Sequence, residues 1–142
     1  MTEESPGTVA CHSLDPLEEL LASLVACEEI RLVVKNAGAT AELRGHATLR
    51  SGPQWLTIEI GGGPDHAHVR RGELVSAEFS AVPGKNLGVR FFGADGRVIL
   101  ACILPGTNDR ATDCSPRRRQ AFEAIEAAHR SAPWRRDSAG LR

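Results

Sequence analysis

The sequence contains no tyrosine, one methionine, two tryptophans and four phenylalanines in 142 residues. Without tyrosine, phenol acid–base chemistry and phenolate ligation of a metal are excluded. Seventeen basic and eighteen acidic residues leave a formal charge of −1, so no overall field draws the chain to nucleic acid or to an anionic membrane. A basic binding site would therefore have to be local.

Long hydrophobic runs are missing as well. The longest uncharged apolar stretches, 20–27 and 98–104, are much shorter than the roughly 18 residues that a membrane-spanning helix needs. The first residues are acidic and lack the basic start and apolar stretch of a secretory signal. We therefore expect a cytoplasmic protein without a membrane span.

Motifs of common catalytic sites are also absent. The four cysteines lie at positions 11, 27, 102 and 114 without any Cys-x-x-Cys spacing, which excludes a zinc ribbon and a thioredoxin-type dithiol. There is no Gly-x-Ser-x-Gly elbow, no Walker loop and no His-Glu-x-x-His helix. The sequence therefore contains none of these motifs to support an enzymatic role.

Composition along the chain predicts one domain between two flexible ends. The content of 42% hydrophobic and 25% charged residues fits one globular domain with its own core. Gly, Pro, Ser, Thr and Glu dominate residues 1–13, and residues 133–142 follow a proline, so both segments are predicted to be flexible. Residues 14–132 are the predicted domain.

Two helices are predicted, one at each end of this domain. Asp15-Pro16 combines a capping carboxylate with a proline suited to the first helical turn, and Ser115-Pro116 does the same with a hydroxyl. In the second helix, Phe122 and Ile125 form a short apolar stripe that we expect to pack on a sheet. The leucine stripe of the first helix, predicted to be core, is Leu17, Leu20, Leu21 and Leu24.

Between the helices the hydrophobic period changes from 3.6 to 2, which predicts an antiparallel meander sheet of about seven strands. Asp95-Gly96 supplies the turn of the clearest hairpin. The fold class is therefore α+β, with an N-terminal and a C-terminal helix. The predicted strands are 30–36, 39–44, 54–60, 66–70, 74–81, 87–92 and 97–104.

One predicted strand concentrates side chains that can bind a ligand. The period of 2 places His66, His68 and Arg70 on one face of strand 66–70. Three interpretations of this face remain open. Two imidazoles can share a nonheme Zn²⁺ or Fe²⁺, one imidazole can hold a heme iron axially, or both rings can simply be satisfied by water and backbone.

A nonheme metal site would need further ligands. The candidates for a third ligand are Asp65, Glu78 and His46, which the sequence does not rank. For a heme, arginines near the iron ligand would pair with its propionates. Arg70, Arg71 and Arg90 are the candidates for this role, although Arg90 could instead be a solvent-side charge or pair with Glu78 on the neighbouring strand.

Five segments of the chain together form a recognisable pattern: 41–45, 52–60, 67–70, 75–79 and 90–99. The most recognisable piece is the Phe-Phe-x-x-x-Gly hairpin at Phe91-Phe92 followed by an apolar strand. Taken together, these segments resemble the heme-utilisation superfamily of the ChuX/HutX and HemS/HmuS types. The resemblance covers roughly residues 20–105.

The resemblance implies a single-module protein that binds heme inside the cell, as a carrier or store, and pairs into a homodimer by packing sheets. It implies that His68, within Ala67-His68-Val69-Arg70, matches the histidine that ligates heme iron in ChuX-type members, with His66 as auxiliary or alternative. The second ligating histidine of that type has no counterpart, since the region near residues 28–30 is acidic. Heme degradation would follow by family analogy alone. The other readings are a nonheme metal protein using His66 and His68, and a ligand-free dimerisation module of the same fold.

Overall fold

Residues 16–129 are described by the computed structural model, and they contain two α-helices, eight strands and a short 3₁₀ turn. The flexible segments predicted over 1–13 and 133–142 lie outside this range. The elements are α1 (Pro16–Val25), β1 (Ile30–Lys35), β2 (Thr40–Gly45), β3 (Ala47–Ser51), β4 (Trp55–Ile60), β5 (His66–Arg70), the 3₁₀ turn (Arg71–Glu73), β6 (Ser76–Ser80), β7 (Gly88–Phe92), β8 (Val98–Ile103) and α2 (Pro116–His129).

The predicted core face of the first helix is confirmed. All four leucines of the α1 stripe are buried, because their spacing puts them on one side of the helix. That side faces the inner surfaces of the strands and part of α2. Removal of this apolar area from water is what holds α1 in place.

The strands form two antiparallel sheets that share one core. One sheet has the order β2-β1-β8-β7-β6, and the other has the order β3-β4-β5. Only His46 separates β2 from β3, so the chain passes directly from one sheet into the other. Gly45 makes this bend with φ +150, and a side chain there would lie 3.2 Å from Ile60 Cγ2.

The structure has one strand more than the sequence predicted. The additional strand is β3, which pairs with β4 from Ala47↔Ile60 to Ser51↔Leu56. Its apolar residues, Ala47 and Leu49, are only half-buried, and the strand follows a glycine. The alternation in this segment was therefore too weak to mark a strand separate from its neighbours.

The predicted hairpin at Asp95-Gly96 is present between β7 and β8. Gly96 has φ +81, and the amide of Arg97 donates to Asp95 Oδ1 at 3.0 Å. Glycine adopts this left-handed conformation without steric cost, and the aspartate side chain stabilises the turn. The turn thereby fixes the register of the two strands beside it.

Helix α2 packs on the larger sheet as expected. Phe122 is buried and meets the ring of Phe79 on β6 edge-on, with the ring centroids 5.6 Å apart. The helix begins after Ser115, whose Oγ accepts a hydrogen bond from the amide of Arg118 at 3.2 Å. This capping bond satisfies one of the free amides of the first turn.

The arginine run at the start of α2 is held by neighbouring groups of the same chain. Arg118 donates to the carbonyl of Pro105 at 2.7 Å, and Arg119 donates to the carbonyl of Thr107. Arg117 pairs with the carboxylate of Glu28 at 2.8 Å. Carbonyl dipoles and this carboxylate therefore offset positive charge at a helix end where the macrodipole disfavours it. No helix within residues 16–129 is both long enough and apolar enough to span a membrane.

We expect a pH dependence of stability from a cysteine in β8. Burial raises the pKa of the Cys102 thiol above its ordinary value of 9.0, and the Cys27 charge adds to this shift. The Cys102 thiol ionises at lower pH in the unfolded chain than in the folded one. Its contribution to the stability of the folded state is therefore complete below about pH 9 and is lost as the pH rises. The free energy of unfolding should fall above that pH by up to about 1.4 kcal/mol per pH unit for this proton.

The measurement is chemical denaturation of wild type, Cys102→Ala and Cys114→Ala between pH 8 and 10. The half-buried Cys114 is the matched control, and its replacement should leave the slope of stability against pH unchanged. The slope should become shallower in Cys102→Ala. An equal slope in all three proteins would contradict the prediction.

Candidate functional site

The outer surface of the three-stranded sheet carries the predicted ligand-binding residues. Leu56, Ile58 and Val69 of this sheet point into the core, so the alternate residues point outward. We call these outward residues the histidine face. Its members are Thr48, Arg50, Trp55, Thr57, Glu59, His66, His68 and Arg70.

The pairing of β4 with β5 brings the members of the histidine face together in register. Thr57 lies opposite His68 and Trp55 lies opposite Arg70. The guanidinium carbon of Arg70 sits 4.5 Å from the centroid of the Trp55 ring, which is a cation–π contact. The sequence prediction that His68 and Arg70 share a face with His66 agrees with this arrangement.

His68 is exposed and is oriented by a neighbour on β4. Its Nδ1 forms a hydrogen bond of 3.0 Å with Oγ1 of Thr57, a residue that is 8% exposed. The Trp55 ring stands edge-on to the imidazole with the centroids 6.3 Å apart. A ligating histidine typically uses its second ring nitrogen for such a bond, so Nε2 is the atom left for a metal.

His66 lies beside His68 and has a defined tautomer when neutral. Its Nδ1 is 2.7 Å from the carbonyl oxygen of Pro64. A carbonyl oxygen only accepts, so Nδ1 carries the proton and Nε2 carries the lone pair. The two imidazole centroids are 4.7 Å apart on the same side of the sheet.

The three candidate arginines do not lie together. Arg70 belongs to the histidine face, and within residues 16–129 it has no carboxylate partner. Arg71 points inward from the end of β5 and pairs with the buried Glu18 of α1 at 3.0 Å. Arg90 is on β7 of the other sheet, where it pairs with Glu78.

The candidate third ligands for a nonheme metal are dispersed. Glu78 lies on β6 and is engaged by Arg90, and His46 lies between β2 and β3. Among residues 16–129 no group of three or more His, Cys, Asp or Glu side chains is close enough to hold one metal ion. The imidazole pair thus lacks a third protein ligand within this part of the chain.

Within residues 16–129 the side chains of His66, His68 and Arg70 on the histidine face are exposed. Four cavities formed by residues 16–129 have volumes from about 350 to about 650 Å³, and none of these four is lined by His66 or His68. The face instead presents Trp55, whose exposed fraction is 41%. A flat apolar ligand could lie against such a face, whereas a small polar ligand would remain in contact with water.

Two residues of this face were not expected from the sequence. Trp55 stands on the outer side of the sheet beside Arg70. Thr57 was not singled out, although it orients His68. Trp55 and Thr57 alternate with the apolar Leu56 and Ile58, so the sequence did indicate that they face the opposite side of the strand. The sequence could not show that β4 is the strand that pairs with β5.

Comparison with solved structures identifies the fold. Two structures of ChuX, one of them described as a heme-binding protein, match with TM-scores of 0.64 and 0.63 at 14% identity. They cover 82% and 80% of this chain and 74% and 71% of their own. A protein from Agrobacterium tumefaciens matches with a TM-score of 0.54 at 16% identity, over 90% of this chain and 85% of that one.

The family follows from the sequence itself. Residues 12–125 match the model of the Haem utilisation ChuX/HutX family. The chain therefore belongs to this family, and the resemblance inferred from its residues is confirmed. The comparison with curated proteins gave no match.

Proposed function

We propose that this protein binds heme inside the cell and serves heme utilisation as a carrier or store. Membership of the heme-utilisation family supports this proposal, as does the likeness in fold to a heme-binding protein. The observation that carries it is the exposed His68 imidazole, held at Nδ1 by Thr57 beside Trp55 and Arg70. Bound heme would supply the iron and a flat apolar macrocycle.

In this proposal His68 is the axial ligand through Nε2. The Thr57 hydroxyl holds the ring in position and fixes which nitrogen is available. His66 stands on the same side of the sheet at 4.7 Å, so it is placed to substitute for His68 rather than to bind the opposite side of the same iron. We therefore assign His66 an auxiliary role.

Trp55 and Arg70 would complete the contact with the porphyrin. The exposed indole offers an apolar surface for the macrocycle, and the Arg70 guanidinium can pair with a propionate. We place Arg70 ahead of Arg71 and Arg90 for this role, because those two already pair with Glu18 and Glu78. If Arg71 or Arg90 turned to a propionate, it would leave its carboxylate, Glu18 or Glu78, without this partner.

A homodimer is part of the proposal. A porphyrin on the open histidine face would keep its other side in water, and a second copy packed by its sheet would cover that side. Such a partner would also be a source of the second axial ligand that this chain does not provide near residues 28–30. Sedimentation velocity with and without hemin is expected to show a dimer.

The decisive experiment is a hemin titration of the purified protein followed at the Soret band. We expect a saturable spectral change at about one hemin per chain where His68 alone holds the iron, and at about one hemin per two chains where both copies of a dimer hold the same heme. Absence of a saturable change would overturn the proposal. One equivalent of bound zinc or iron without heme uptake would favour the nonheme alternative, and a dimer that binds neither would identify a ligand-free module.

A further inference from the structure

One of the four cavities lies on the outer face of the five-stranded sheet. Its volume is about 350 Å³, and its lining contains three cationic side chains and no carboxylate. We call it the arginine pocket. Its lining residues include Arg31, Lys85, Asn86, Gly88, Arg90 and Ala101, none of which belongs to the histidine face.

Small residues form the floor of this pocket. Ala101 lies opposite Arg90, and Gly88 lies opposite Ile103 on the neighbouring strand. A side chain at position 88 would come within 2.9 Å of the Cys102 carbonyl oxygen, so only glycine fits there. The floor is therefore low, and the longer cationic side chains stand around it as walls.

Arg31 is the residue of this pocket whose hydrogen-bonding capacity most favours a bound anion. Its Nε is buried and has no hydrogen-bond partner, and no carboxylate within residues 16–129 pairs with it. Its neighbour across the strand pair, Arg44, is bound by Glu29 at 2.6 Å. Arg31 as a whole is half-buried, but its Nε is removed from water without a partner, which is unfavourable, and an anion in the pocket would offset that cost.

The lining of the pocket contains further donors besides Arg31. Asn86 accepts the amide of Thr107 at Oδ1 at 3.1 Å, which leaves its Nδ2 as a donor. Lys85 adds a second cation, and Arg90 adds a third that Glu78 partly neutralises. Guanidinium, ammonium and amide donors around one small space are the chemistry that binds carboxylate or phosphate oxygens.

We infer that the arginine pocket binds the oxyanion group of a small molecule, either a carboxylate or a phosphate. The volume lies near the lower limit for small-molecule pockets, so it fits a compact anion. The site is separate from the histidine face, and the inference stands whether or not the chain binds heme. Because the net charge of the chain is only −1, attraction of an anion to this pocket would come from the local cationic side chains and not from the overall charge.

The test uses inorganic phosphate and succinate as separate probes, titrated into the wild-type protein at constant ionic strength. Calorimetry should show saturable binding of at least one probe, and amide shifts in ¹H–¹⁵N spectra should centre on Gly88 and Ala101. Arg31→Gln should weaken this binding by about tenfold or more, as expected for loss of a charged hydrogen bond. Arg44→Gln removes the same charge from the facing strand and should leave the affinity unchanged.

Each outcome bears on the inference. Binding of phosphate alone or of succinate alone identifies which oxyanion the pocket prefers. No saturable binding of either probe, or equal weakening by Arg31→Gln and Arg44→Gln, would overturn it. If the melting curve shows that Arg31→Gln does not fold, two other measurements test the inference. They are the amide shifts of the wild type at Gly88 and Ala101, and the affinity of the variant Lys85→Gln, which replaces an exposed residue. The hemin titration is a separate measurement, so failure of one assignment does not imply failure of the other.

Discussion

Replacing His68 by alanine is expected to remove the saturable Soret change and to weaken hemin binding by about a hundredfold or more. The imidazole of His68 is the proposed bond to the iron, and it is the ring that Thr57 orients. The contacts of Trp55 and Arg70 with the porphyrin would remain, and His66, which lacks a bond to Thr57, would replace His68 only weakly. His66→Ala should cost much less, because it leaves the oriented ring of His68 in place. The measurement is the same hemin titration, together with the spectrum of the bound form.

The matched control is His46→Ala, which removes an exposed histidine from the connection between β2 and β3. It should bind hemin as the wild type does. Thr57→Val keeps the shape of the side chain but removes the hydroxyl that holds His68, so about tenfold weaker binding is expected. An unchanged spectrum in His68→Ala would remove the assignment of the axial ligand.

Replacing Glu18 by alanine is expected to lower the free energy of unfolding by about 3 kcal/mol or more. Glu18 is 1% exposed on α1 and pairs with Arg71 at 3.0 Å, and it also accepts a hydrogen bond from Ser51 of β3. The variant would leave the Arg71 charge largely buried without this carboxylate. Urea denaturation of the wild type and the variant measures the difference.

Glu19→Ala is the control, because this neighbouring glutamate is exposed and its loss should change stability by less than about 0.5 kcal/mol. In the double variant Glu18→Ala/Arg71→Met no buried charge remains unpaired, so part of the lost stability should return. A double variant as unstable as the sum of its singles would contradict a direct pair. Arg71 directly follows β5, so hemin binding by Glu18→Ala would also report on the position of Arg70.

The local elements were predictable because they depend on short-range pattern. The leucine stripe of α1 follows from a period of 3.6 residues, and the shared face of His66, His68 and Arg70 follows from a period of 2. The family could be recognised for the same reason, since its signature lies along the strands and in the hairpin at Asp95-Gly96.

The composition of the site was less predictable, because it depends on pairing between distant segments. The sequence offered Arg71 as a partner of a bound heme, yet in the structure it is paired with the carboxylate of Glu18. For Arg90 the sequence also offered a pair with Glu78, and the structure contains that pair. Arg71 and Glu18 are 53 positions apart, and nothing in the period of either segment indicates that they meet. The extra strand β3 is what brings Ser51 to the same point.

The sequence by itself determined the helices, most of the strands, the family and the common face of the two histidines, because each depends on residue order within a few positions or on a pattern that survives along the chain. The tertiary structure alone decided which charges are already neutralised, that Trp55 and Thr57 flank His68, and that Arg31 is left without an anion within the described residues. These depend on strand order, register and burial, which bring together groups that are remote in the chain.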